Sequence, residues 1–282
     1  MLIFVSSMSL SACVSAAAGD MSISAMAGPW PITIRTCSWD AGAICSLTWR
    51  DKEFIDDFDH GRQLQSAVSF DNLGEVFNPT EAGSSDQDDG VNPSPSSSVL
   101  MGYWSVDKVL ATQTNMAFFR PYNNQKVSDY ILNKQVTIGA HNLPHVIQYS
   151  TQYTLPKDSA FSHGIFEVVT GYMPSGFSEF WTYDIKNKKL ARLSDGEGEQ
   201  GLPIIFSTPD EGWAMGIYSP GTPQPGLGHL GYGRGRFSDV VKWNNVYRIA
   251  NPRGVYHFRS YVIVGSLENV RVSMDQLYDV LY

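Results

Sequence analysis

Apolar and polar residues alternate in short runs along most of this chain. The runs at 31–35 and 43–49 form an opening hairpin. Further strands are predicted at 116–120, 135–138, 146–154, 165–172, 179–184, 204–207, 214–219, 246–249 and 256–265. Each is rich in β-branched or aromatic residues and bounded by Pro, Gly, Asn or Asp. Helical periodicity is clear only at the end. Leu267, Val270, Met274, Leu277 and Leu281 fall three or four apart behind Ser266, a good N-cap. Short strands without intervening helices indicate an all-β protein, a large antiparallel β-sandwich with one C-terminal helix.

Between the runs lie loops. Residues 82–98 carry Ser, Asp, Pro and Gly with almost no apolar side chain, and 221–235 holds six glycines and two prolines. The second is predicted to be a surface loop, because no Lys-Ser/Thr pair or helix start follows it to make a phosphate cradle.

The first residues are apolar and end in Leu10-Ser11-Ala12-Cys13. That pattern fits a secretory leader, and it resembles the lipobox of bacterial lipoproteins, with Cys13 as the lipidated residue. Residues 1–28 are therefore expected to be leader and tether, and 29–282 a single sandwich domain. The protein is expected to be secreted, periplasmic or on the outer surface, with membrane contact only through that anchor. Cys37 and Cys45 flank a turn; they either pair across it in an oxidising compartment or remain two buried thiols.

A hydrophobic content of 43% against 17% charged residues gives a chain with a substantial core. The net charge of −8 argues against a nucleic-acid partner, which wants a basic face. Aromatics at 12% suit strands and also line sugar sites.

The densest polar cluster is Phe58-Asp59-His60-Gly61-Arg62-Gln63. Asp59 can fix the tautomer of His60, and His60 can move protons near neutral pH. Arg62 offers a planar fork for a carboxylate such as that of a uronic acid. Structurally, the same residues would staple a loop. A second cluster, Phe77-Asn78-Pro79-Thr80-Glu81, offers Glu81 as the acid/base partner of His60, with Asn78 and Gln63 on substrate hydroxyls. Glu167 and Val169 are expected to share one strand face, with Glu167 either lining a cleft or solvated. Tyr218 and Trp243 are candidate stacking rings, and Lys242 is a candidate substrate contact. No cofactor is expected. Asp86, Asp88 and Asp89 offer alternating oxygens to Ca²⁺, but the full loop pattern is missing and a solvated acidic loop is the simpler reading. No metal-ligand spacing, GxSxG, HExxH or dinucleotide motif occurs.

The stretch Asp40-Ala41-Gly42-Ala43-Ile44-Cys45-Ser46-Leu47-Thr48-Trp49-Arg50-Asp51-Lys52-Glu53-Phe54 resembles the first hairpin of galactose-mutarotase-like proteins. The resemblance implies a β-supersandwich with a concave sugar-binding face, and glycoside hydrolase, polysaccharide lyase or epimerase activity. It implies a His acid and a Glu base, and the residues available by chemistry are His60 and Glu81. The expectation is an exported enzyme acting on a poly- or oligosaccharide. The alternative is a non-catalytic glycan-binding surface lipoprotein. Convergence of His60, Glu81 and Arg62 in one concavity separates the two.

Overall fold

A computed structural model describes residues 18–71, 73–84, 95–221, 229–237 and 239–282. Cys13, Asp86, Asp88 and Asp89 lie outside the described residues. Every strand pair is antiparallel, and the ladders join into one continuous network that folds into two facing layers.

The first layer runs in spatial order from Glu179–Asp184 through Ile204–Ser207, Ala214–Tyr218, Gly254–Gly265, Val146–Leu155 and Gln125–Ile138 to Val109–Tyr122 and Val99–Val106. The second runs from Met21–Ala27 through Trp30–Thr36, Ile44–Trp49, Leu64–Phe70 and His163–Pro174 to Val240–Ala250 and His229–Arg236. The two-residue strand Pro79–Thr80 pairs with both Leu64–Phe70 and Val109–Tyr122, and so ties the layers together.

Alternation explains the layering. Ile32, Ile34, Leu47, Leu64, Val169 and Trp243 of the second layer face Leu110, Val136, Ile147, Val262 and Val264 of the first. The Tyr261–Gly265 end of the strand Gly254–Gly265 is apolar at every position because both its faces are covered there. Val262 and Val264 enter the sandwich core, while Tyr261 and Ile263 lie beneath the helix Leu267–Leu281. That helix begins as its pattern predicts. The Ser266 hydroxyl accepts from the Asn269 amide at 3.1 Å, and the Asn269 side chain returns the bond to the Ser266 N–H. Met274 packs so closely on Gly216 that a Cβ there would lie 2.5 Å from its terminal methyl.

Several segments differ from the expectations, and Leu64–Phe70, Lys189–Arg192 and Gly198–Gln200 are strands where none was predicted. Met21–Ala27 is a strand that places Met21, Ile23 and Ala27 in the core, so the sandwich starts inside the stretch expected to be tether. Its serines and alanines hid the alternation. His229–Arg236 is a strand rather than surface loop. Gly231 and Gly233 lie against Glu199 and Asn244, where any Cβ would collide, so the glycines make room for a layer instead of marking a turn. Val99–Val106 adds an edge strand with no counterpart among the predicted runs.

Cys37 and Cys45 form a disulfide with a Cα–Cα separation of 5.9 Å, closing the turn before Ile44–Trp49. A loop this short is expected to contribute about 2–3 kcal/mol by restricting the unfolded chain. Urea unfolding of the oxidised protein against Cys37→Ser/Cys45→Ser should show that loss as a lower midpoint.

Candidate functional site

The outer face of the second layer carries an open hollow of about 210 Å³. A β-bulge builds it. In the strand His163–Pro174, Glu167 pairs with Ala67 and Thr170 with Gln65, so Val168 and Val169 together oppose the single residue Ser66. The extra residue turns both valines into the core and leaves Glu167, Thr170 and Tyr172 on the outer face. Glu167 and Val169 therefore do not share a face. Side chains of the sandwich core hold the bulge. The Ser66 hydroxyl donates to the Val168 carbonyl at 2.7 Å, and the Tyr153 hydroxyl donates to the Glu167 carbonyl at 3.1 Å.

Within the hollow, Lys242 lies directly across from Tyr172, its ammonium 5.1 Å from the ring centroid. It reaches back to the Glu167 carboxylate, at 3.3 Å. Phe119 and Tyr172 are half-buried rings in the wall. The Asn78 side-chain amide makes no hydrogen bond among the described residues, and it lines the same space. The floor is Gln65 and Thr170, both buried and committed. The Gln65 amide accepts from Ala82 N and donates to the His60 carbonyl, and the Thr170 hydroxyl donates to the Trp243 carbonyl. Glu167 is the one carboxylate lining the hollow among the described residues.

The structure brings together Asn78, Glu167 and Lys242 of the sequence candidates. It does not bring in His60, Glu81 or Arg62. Glu81 follows the strand that ties the layers, so its side chain drops between them with no exposure. There it pairs with Lys134 from the opposite layer, and accepts from Ser66 N at 3.2 Å and the Tyr149 hydroxyl at 3.3 Å. Burial pushes its carboxyl above the ordinary value, against the pull of the Lys134 ammonium. Lys134 also donates to the Gly42 carbonyl at 2.9 Å. His60 is buried, with Nε2 at 3.0 Å from the Trp39 carbonyl. Asp59 shapes the turn around it, accepting from Gly61 N at 2.8 Å and pairing with Arg62 at 3.2 Å. Arg62 also meets Asp239 at 2.7 Å and Asp56 at 3.6 Å. Its fork is thus occupied by this chain's own carboxylates, which pin the loop at 56–62 to the strand bearing Lys242. Gln63 is buried and donates to Asp57 at 2.7 Å and to the Asp59 carbonyl at 2.6 Å.

Two proposed stacking rings face away from any sugar. Trp243 is buried in the core, its ring against Gly171. Tyr218 is buried beneath the C-terminal helix on the far face of the sandwich. The strand of Tyr218 is buried on both faces and Trp243 sits on the inward face of a strand whose other face is half-exposed, so aromatic type did not reveal direction. Lys134, Phe119, Thr170 and Tyr172 were missed. Lys134 had a readable signal, a lysine at an inward position between Leu132 and Val136.

No protein-family model matches the chain, and no curated protein matches it. Among solved structures, the chain is similar to an α-galactosidase from Lactobacillus brevis, at 8% identity and a TM-score of 0.48, with 88% of this chain and 40% of that one covered. It thus spans well under half of that enzyme. It is also similar to the Slr1438 protein from Synechocystis sp. PCC 6803, at 9% identity and a TM-score of 0.46, over 83% and 92% of the two chains. A putative mutarotase from Salmonella typhimurium is similar at 9% identity and a TM-score of 0.34, over 86% and 93%.

Two predictions concern ionisable groups around the hollow. Lys134→Met alone strands the Glu81 carboxyl and should cost about 3–5 kcal/mol in urea unfolding, whereas Glu81→Gln/Lys134→Met should recover most of it. Burial raises the Asp57 carboxyl from 3.8 to about 6. The folded state then holds a proton that the unfolded state has released. Stability from this group is full below pH 3.8 and is lost as pH rises towards about 6. Asp57→Asn should flatten that part of the stability–pH curve.

Proposed function

We propose that the hollow binds a saccharide and that Glu167 and Lys242 carry out proton transfer on it. The observation that carries this reading is the Glu167 carboxylate held 3.3 Å from the Lys242 ammonium in the wall of an open concavity. A sugar ring offers an apolar C–H face and a rim of hydroxyls. Phe119 and Tyr172 suit the first, and the Asn78 amide, Glu167 and Lys242 suit the second. Hydrolysis through a flanking pair of carboxyl groups needs a second acid, and Glu167 stands without one among the described lining residues. One base beside one cation fits ring opening at an anomeric hydroxyl or elimination from a uronide. Glu167 removes the proton, and Lys242 protonates the ring oxygen or offsets the charge that develops.

A second reading is non-catalytic glycan binding. It is favoured by the separation of His60, Glu81 and Arg62, which were the expected catalytic and substrate-gripping set. For the wider setting, the Cys37–Cys45 disulfide supports export to an oxidising compartment. Lipid anchoring at Cys13 rests on the leader pattern alone.

Aldose mutarotation followed by polarimetry, and uronide elimination followed by ultraviolet absorbance, separate the readings. Wild-type protein should accelerate one of them. Glu167→Gln should lose about a hundred- to ten-thousand-fold in kcat while keeping saccharide affinity. Binding without turnover in wild type would favour the non-catalytic reading.

A further inference from the structure

A second concavity, of about 560 Å³, lies on the same outer face, beyond the loop at 54–63. Its floor is a cross-strand row. Ser22 pairs with Arg35, and Arg35 with Ser46, all three pointing away from the core residues Ile23, Ile34 and Leu47. Glu53 is fixed in one wall by four donors: the Ser46 hydroxyl at 2.6 Å, and the amides of Leu47 at 2.8 Å and of Phe54 and Ile55 at 3.0 Å each. The Arg35 guanidinium has no ion pair or hydrogen bond among the described residues, although acidic side chains line the same space. Trp39 is 38% exposed and stands at the rim. An indole face, an uncommitted guanidinium and a rigid carboxylate over a serine floor match the apolar face and hydroxyls of a sugar residue.

The two hollows share one loop. Gly61 lines the first, and Ile55 and Asp57 line the second. The Trp39 carbonyl meets His60 and the Asp59 carbonyl meets Gln63, so the loop is tied down from both sides. The hollows are centred about three strand spacings apart, roughly 14 Å. A glycan of several residues bridges that distance.

We propose that the second hollow is a further saccharide subsite, so that one glycan chain crosses this face from Glu167 to Trp39. The proposal rests on the reading of the first hollow as a saccharide site. It turns that site into one end of a groove for a chain, with oligosaccharides rather than monosaccharides as its ligands.

Calorimetric titration with cello-, manno-, xylo- and galacturonate oligomers, disaccharide to hexasaccharide, tests this on wild type, Trp39→Ala, Arg35→Ala and Glu167→Gln. Trp39 and Arg35 are exposed, so their replacement leaves the core intact. Affinity should rise with length in one series. Trp39→Ala and Arg35→Ala should each weaken the hexasaccharide about tenfold and leave the disaccharide within about twofold. Hexasaccharide binding unchanged in both variants, or short and long oligomers weakened equally, overturns the second subsite while the first stands. Failure of every oligomer to bind wild type overturns the reading of the first hollow, and this one with it.

Discussion

The structure turns on one extra residue. At Val168 the strand His163–Pro174 sets two residues against Ser66, and this shift decides which side chains meet solvent. Without it, Glu167 and Tyr172, five apart, would point to opposite faces. With it, both line one hollow and both valines fill the core. A bulge needs its carbonyls satisfied, and here hydroxyls from inside the sandwich do so, Ser66 on Val168 and Tyr153 on Glu167. The outer site is thus braced by polar groups in the core.

Those polar groups form a connected set. Ser66 and Tyr149 bond to each other at 3.0 Å, and both bond to Glu81, which faces Lys134 across the layers. A buried pair of this kind adds little net stability over an apolar one, but it penalises any register that leaves one charge alone. Glu81 and Lys134 thereby fix the alignment of the two layers beneath the bulge. The Arg62 cluster does related work at the surface, holding the loop at 56–62 against Asp239 so that Gly61 and Lys242 border the same space.

Much of the fold was legible from the chain. The Ser266 cap, the spacing of Leu267 to Leu277 and most strands followed from period and punctuation, and the two-layer sandwich followed from them. The segments that escaped did so for physical reasons. Small residues blurred the alternation of Met21–Ala27, and glycines that make room for Glu199 and Asn244 looked like turn glycines. The site was less legible. A bulge inverts facing without a residue type that announces it, so alternation alone does not place Glu167 and Tyr172 on one face. Glu81, His60 and Gln63 carry chemically capable side chains, yet those side chains are spent inside the fold. Side-chain type identified the chemistry available, and only packing showed which of it reaches solvent.

The central claim is that the outer hollow around Glu167 receives a saccharide. Amide chemical-shift mapping on the labelled protein with a saturating oligosaccharide tests it most directly. The account predicts the largest shifts at Gly61, Asn78, Phe119, Glu167 to Tyr172 and Lys242, with the C-terminal helix unmoved. Shifts confined to the opposite face, around Tyr218 and Leu267–Leu281, would contradict it.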